Sequence, residues 1–351
     1  MFFRMFGPNG KSFSSLVTGA LISALIFLQV SSAYAVNDYV GRPEVDAYID
    51  SLVAEHDFSR QALEEIFREA EKKDKIIELM SRPAERRLQW HEYRKILVDQ
   101  PRVKLGLKFW QENAATLARA EEAYGVDAAI IVAIIGVETR YGRITGSYRV
   151  VDALATLGFD YPPRAKFFLS ELTQFLLLAR EEGKSPMSLK GSYAGAMGYG
   201  QFISSSYRNY AVDFDEDGVR DIWSNKVDAI GSVANYFARH GWQGDSAVTQ
   251  KVSVIEATPE ILAVANSSLK PNKTLQQWQD LGVNIPASMS GDLERSAMLM
   301  RMGQPDGADF WLGFDDFYVI TRYNHSRLYA MAVYQLSETI RELRAQSGEA
   351  E

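Results

Sequence analysis

This sequence predicts a mainly α-helical (α+β) fold, and three patterns carry the prediction. Apolar residues return at three- and four-residue spacing from Pro43 to about Ala123. The run Ile130–Val137 is apolar throughout, which suits a helix buried on all sides. Alternating or β-branched stretches are confined to residues 246–323.

Residues 1–35 stand apart from the fold. Arg4 and Lys11 give a basic start without an acidic residue, Leu16–Val30 is mostly apolar, and Ala33-Tyr34-Ala35 has the small-x-small pattern that signal peptidases cut after. Thr18, Gly19, Ser23 and Gln29 interrupt the apolar stretch, which makes it a poor membrane span. A cleaved signal peptide is therefore expected over an uncleaved anchor, and with it a soluble, exported, periplasmic protein.

Residues 36–123 are expected to form an N-terminal helical domain. Val45, Tyr48, Ile49, Leu52 and Val53 make one stripe, Leu63, Ile66, Phe67 and Ala70 another, with breaks near Asp57-Phe58-Ser59, Ser81-Arg82-Pro83 and Gln100-Pro101. Residues 124–245 follow as a core whose joints carry unusual chemistry, ending in a helix around Asp228–His240. Residues 246–323 read as a small α/β insertion. Its expected strands are Lys251–Val254 and Asp316–Tyr323, and its helical patches are Pro259–Ala265, Leu275–Leu281 and Asp292–Met300. Residues 324–351 return to helix from Ser326 to about Arg344, with Tyr329, Ala332, Val333, Leu336 and Ile340 on one face.

The chain carries 38 basic and 45 acidic residues, and the leader holds two of the basic ones. That acidic balance argues against nucleic acid, whose phosphates need a basic face. Cysteine is absent, so there is no disulfide framework, thiol nucleophile, cysteine-based zinc site or cysteine-borne lipid anchor. His56, His91, His240 and His325 are scattered without metal-ligand spacing, and none is given a role.

Glu138 closes the apolar helix. Asp127 is the expected N-cap and Gly142 the expected stop. Desolvation and the partial negative charge at a helix C-terminus would both favour a protonated carboxyl there. That is the form needed to protonate a leaving oxygen. Arg140 could oppose this by pairing, but two residues along a helix it points elsewhere. A carboxylate merely emerging into solvent is the plain alternative.

Two further motifs bear on the choice. Gly191-Ser-Tyr-Ala-Gly-Ala-Met-Gly-Tyr-Gly-Gln-Phe202 is backbone that bends sharply or admits a close approach, with Gln201 and the tyrosines beside it. A tight inter-helix loop would read the same way. Asp213, Asp215 and Asp217, followed by Gly218, match the opening of an EF-hand loop, to which Val219 would add its carbonyl. Ser224 stands where the bidentate glutamate belongs, so Asp228 is the expected last ligand. The alternative is an acidic turn without metal.

Glu138-Thr-Arg-Tyr-Gly142, the Tyr193–Phe202 segment, the aspartate loop and Val227–Phe237 occur in this order. Together they resemble the membrane-bound lytic murein transglycosylase B family in its soluble form, from about residue 40 to 340. The resemblance implies a lysozyme-like catalytic core with a helical domain and a small β-containing domain. It also implies cleavage of the MurNAc–GlcNAc β-1,4 bond of peptidoglycan. Glu138 matches the single catalytic carboxylate. Ser192, Tyr199, Gln201, Tyr236, Tyr323 and Asn324 match substrate-binding positions. Asp213, Asp215, Asp217, the Val219 carbonyl and Asp228 match the ligands of a structural Ca2+ in the EF-hand-like loop 213–228. No organic cofactor is implied, and the expected partners are peptidoglycan strands and cell-wall synthases. In the family's scheme one carboxyl protonates the departing oxygen and the substrate's N-acetyl group stabilises C1. The ionised carboxylate then takes the C6 hydroxyl proton, closing a 1,6-anhydro ring. The chain departs from the family in having no cysteine to lipidate and one extra residue within Ser224–Asp228. Two rivals stay open: a muramidase hydrolase using a second acid, and a calcium-dependent wall-binding protein without activity.

Overall fold

The computed structural model describes residues 38–81, 88–244 and 247–348, and the expected signal peptide lies outside them. The first part runs through α1 (Pro43–His56), α2 (Arg60–Glu69), α3 (Asp74–Ser81), α4 (Trp90–Leu97), α5 (Gln100–Glu112) and α6 (Ala114–Tyr124). Local chemistry sets their starts. Ser59 caps α2 by accepting from the Ala62 amide, and Asp99 caps α5 by accepting from the Arg102 amide, with Pro101 in the first turn.

Next come α7 (Ala128–Thr139), β1 (Tyr148–Arg149), α8 (Val150–Asp160), α9 (Ala165–Glu181), β2 (Lys190–Gly191), α10 (Ser204–Tyr210) and α11 (Lys226–Arg239). Every residue of α7 from Ala128 to Gly136 is buried, and α5, α6, α11 and the last helix of the chain pack around it. A helix without a polar face is stable only when surrounded in this way.

The remainder holds β3 (Thr249–Val254), α12 (Pro259–Val264), β4 (Lys273–Thr274), α13 (Leu275–Asp280), β5 (Val283–Asn284), β6 (Ser296–Gln304), β7 (Gly307–Gly313), α14 (Asp315–Tyr323) and α15 (Arg327–Gly348). The strands form an antiparallel sheet in the order β4-β6-β7-β3-β5. One face covers a small core of its own, including Ile261, Leu275, Trp278 and Leu312. The other presses against the large helical core through Met298, Met300 and Met302.

Three expectations are corrected here. Asp292–Met300 is no helical patch: from Ser296 it enters β6. That strand is buried on both faces, with Ala297 and Leu299 in the small core and the methionines in the large one. It therefore lacks the apolar/polar alternation of a half-exposed strand. Asp316–Tyr323 is α14, not a strand. Its β-branched and aromatic composition misleads, whereas its buried positions, Asp316, Phe317, Val319, Ile320 and Thr321, follow one helical face. Finally, α7 ends before Gly142, since Arg140 and Tyr141 already take positive φ, at 49° and 62°.

Candidate active site

The end of α7 is held by long-range partners. Two successive non-glycine residues in the left-handed region cost roughly 1–2 kcal/mol each, so the turn needs outside support. The Arg140 guanidinium donates to Asp99 at 3.1 Å, away from Glu138, and the buried Tyr141 ring tilts against Phe109 at 5.4 Å. The Thr139 hydroxyl donates to the Tyr199 carbonyl at 2.9 Å and accepts from the Gly142 amide at 2.9 Å. This last pair of bonds ties the helix end to the glycine-rich segment.

That segment forms a close wall. At Gly146, where φ is 95°, an added Cβ would lie 2.0 Å from the Gly191 carbonyl, so the two loops meet backbone to backbone. The Tyr199 ring covers Gly142, where a Cβ would sit 2.2 Å from it. Gln201 has φ 49° and its side-chain amide donates to the carbonyls of Thr145 at 3.2 Å and Gly198 at 3.0 Å. The Ser192 hydroxyl oxygen accepts from the amides of Ala194 and Ala196, which leaves its proton to donate outward.

Glu138 is half-buried beside this wall. The Tyr329 hydroxyl, on α15, donates to its Oε1. Tyr329 is 3% exposed, and burial first, then the Glu138 charge, pushes its pKa well above the ordinary tyrosine value. It therefore stays a neutral donor. Tyr323 also feels the Glu138 charge, and burial and that charge raise its pKa as well. Its hydroxyl donates to the Gly200 carbonyl at 2.6 Å. Tyr236 donates to the Arg322 carbonyl at 2.7 Å, and its ring lies 4.7 Å from that of Tyr323 and 4.0 Å from His240. Both hydroxyls are spent on backbone, so what these two tyrosines can offer a sugar is ring surface. Asn324 follows them, half-buried, at the C-cap of α14.

Tyr329 is the functional candidate that sequence reasoning missed. On a helix of apolar residues its spacing reads as core, and it is core. Only the contact across 191 residues reveals what its hydroxyl does. A buried tyrosine needs a partner for its O–H, and that was the available signal.

The acidic loop gathers Asp213, Asp215 and Asp217, whose oxygens lie within 4.8 Å of one another. The Asp213 carboxylate accepts from the amides of Asp217 at 3.1 Å and Gly218 at 2.7 Å, and Gly218 takes φ 92°. None of the three carboxylates has an ion-pair partner among the described residues. An oxygen-only set that converges without a compensating charge fits a hard cation such as Ca2+. The exposed Val219 donates its amide to Asp217 at 2.8 Å. Asp228 is fully buried at the start of α11 and stands outside this converging trio. Its two oxygens accept from the Phe214 amide at 2.7 Å and the Asp221 amide at 2.8 Å, which staples both ends of the loop to the helix that carries Tyr236.

Residues 41–338 match the family model described as the transglycosylase SLT domain. The chain is 43% identical over 319 residues to membrane-bound lytic murein transglycosylase B of Escherichia coli strain K12, covering 88% of this chain and 86% of that protein. The crystal structure of soluble lytic transglycosylase SltB1 from Pseudomonas aeruginosa superposes with a TM-score of 0.82 at 47% identity. The match covers 86% of this chain and all of that one. An Escherichia coli lytic transglycosylase solved in complex with calcium aligns at TM-score 0.78 and 42% identity, over 88% of this chain and 96% of that one.

Proposed function

The chain belongs to the transglycosylase SLT-domain family, and from that premise we propose that it is a lytic transglycosylase of peptidoglycan whose single acid and base is Glu138. The observation that carries the assignment is the Tyr329 hydroxyl on Glu138 at the end of the buried α7, beside the glycine wall.

The proposed steps need no second carboxylate. With Oε1 committed to Tyr329, the transferable proton is carried on the other oxygen, and the carboxyl cannot rotate freely. Glu138 protonates the glycosidic oxygen as the C1–O bond breaks, and the substrate's N-acetyl group stabilises C1. The ionised Glu138 is then the state that a hydroxyl donor favours. It accepts the C6 hydroxyl proton while that oxygen bonds to C1, giving a 1,6-anhydro end. Bond breaking and ring closure balance without water. The rings of Tyr199, Tyr236 and Tyr323 suit the exclusion of water from C1, and Ser192, Gln201 and Asn324 are the polar groups offered to the sugar.

Asp213, Asp215 and Asp217, with the Val219 carbonyl, would hold a Ca2+, and Asp228 braces their loop. The ion's proposed contribution is structural: it fixes the loop on α11, the helix that presents Tyr236. Export to the periplasm rests on the leader sequence. Among the described residues no helix is long and apolar enough to cross a membrane. The proposed division remains a helical part to residue 123, the core to 245, the sheet region to 323 and a returning helix.

A digest of purified peptidoglycan, read by mass spectrometry beside a Glu138→Gln control, tests the assignment. Muropeptides lighter by one water than reducing products, and missing from the control, are the expected result. Reducing ends instead would make the enzyme a hydrolase.

A further inference from the structure

The three aspartates of the acidic loop are not held in the same way. Asp213 accepts from the backbone amides of Asp217 and Gly218, and Asp217 accepts from the Val219 amide at 2.8 Å. Those bonds are made within the turn and need only its backbone. Asp215 differs, because the donor to its carboxylate is a side chain. The Asn225 amide Nδ2, ten residues further on, donates to Asp215 Oδ2 at 2.8 Å. Among the described residues that is the only hydrogen bond to this carboxylate, and Oδ1 is left without a donor.

The orientation of Asn225 is fixed from its other end. Its Oδ1 accepts from the Val227 amide at 2.9 Å and so caps α11. With the oxygen committed to the helix, the nitrogen is the end that faces Asp215, and it can only donate. Asp221 places the residue there. Its carboxylate accepts from the Trp223 and Ser224 amides at 2.9 and 3.0 Å, and its carbonyl accepts from the Asn225 amide at 3.2 Å. The main chain beside Asp215 is pinned separately. The Phe214 ring fills the space over Gly231 of α11, where a Cβ would lie 2.4 Å from it, and the Arg119 guanidinium covers that ring at 4.0 Å. The loop backbone therefore does not depend on Asn225, whereas the direction of the Asp215 carboxylate does.

We propose that Asn225 is a positioning residue of the cation site: its amide holds the Asp215 carboxylate toward Asp213 and Asp217, while its oxygen ties the same site to the start of α11. The inference rests on the calcium reading above. A ligand already oriented by a hydrogen bond from outside the coordination sphere loses less freedom when the ion binds, and such outer partners are worth roughly 10–100-fold in metal affinity. Because the amide is neutral, it orients Asp215 without bringing in a positive charge that would repel the ion. A lysine or arginine in its place would form an ion pair and oppose the cation by Coulomb repulsion.

The test is the calcium affinity of Asn225→Ser, read by isothermal titration calorimetry beside the unchanged protein. Serine caps a helix about as well as asparagine but has no amide to donate to Asp215, so the cap is kept and the outer bond is lost. The dissociation constant should rise roughly tenfold. Melting in chelator should stay where it was, since water replaces the donor at the exposed Asp215. An unchanged affinity would reduce Asn225 to a helix cap and overturn the proposal. Tighter binding would also overturn it, by showing that the amide competes with the ion. A second measurement needs no variant. In a crystal structure of the calcium-loaded protein, Asn225 should keep Nδ2 on Asp215 and Oδ1 on the Val227 amide. An Oδ1 about 2.3–2.6 Å from the ion would make Asn225 a direct ligand instead, against the proposal. A wild-type protein that takes up no calcium would sink the metal reading itself, and this inference with it.

Discussion

The protein holds carboxylates in two opposite settings. At the end of α7 one carboxyl stands half-buried among aromatic rings, gripped by a neutral tyrosine hydroxyl. In the 213–219 loop three carboxylates converge near solvent, with backbone amides and the Asn225 side-chain amide as donors and no cation paired to them among the described residues. The same functional group is thereby prepared for different work. A lone carboxyl at a helix end, held by one hydroxyl donor, can trade a proton. A cluster of converging carboxylates without a paired cation suits a metal ion.

Each half of that contrast can be broken separately. The largest expected effect is that of Glu138→Gln, which keeps the shape but cannot exchange the proton. It should cost about 10³-fold in kcat with an unchanged melting temperature; appreciable residual anhydro product would mean another group does the chemistry. Tyr329→Phe comes next, with a loss of roughly tenfold from one hydrogen bond to a charged group. Removing a donor that favours ionised Glu138 makes the carboxyl hold its proton to higher pH. The alkaline limb of kcat/KM should therefore move upward in pH. A lower rate with both limbs in place would reduce Tyr329 to packing.

The loop should answer to calcium rather than to active-site substitutions. At a hundredfold excess over Kd a bound ion adds about 2.7 kcal/mol, so the melting temperature should rise by about 5 °C over that in chelator. Equal melting in both would remove the ion from the account. The smallest effect tests electrostatics alone. Asp217→Asn keeps an oxygen to accept from the Val219 amide while deleting one of three like charges. In chelator it should stabilise the fold by about 0.5 kcal/mol, and it should also abolish the response to calcium. A destabilised apo protein would show that the carboxylates do not repel appreciably.

Much of α7 was legible because its signals are local. Asp127 caps the helix by accepting from the Ala129 amide at 2.7 Å, and the apolar run that follows is buried throughout. The spacing of aspartates around Gly218 likewise reflects turn chemistry within a few residues. The sheet region was harder to read for an equally physical reason. The methionines of β6 face one core and Ala297 and Leu299 another, so the strand shows none of the alternation that marks a surface sheet. In α14 composition and spacing disagreed, and spacing, which reports burial directly, was the better guide.

By itself, then, the sequence determined the buried helix that ends at Glu138, the glycine-rich wall and the acidic loop, since periodicity, caps and turn residues act over a few positions. Only the tertiary structure decided that Tyr329 grips Glu138 from α15 and that Asp228 staples the loop from α11. Those relations depend on which helix faces meet across the core, and no pattern confined to one segment can encode that.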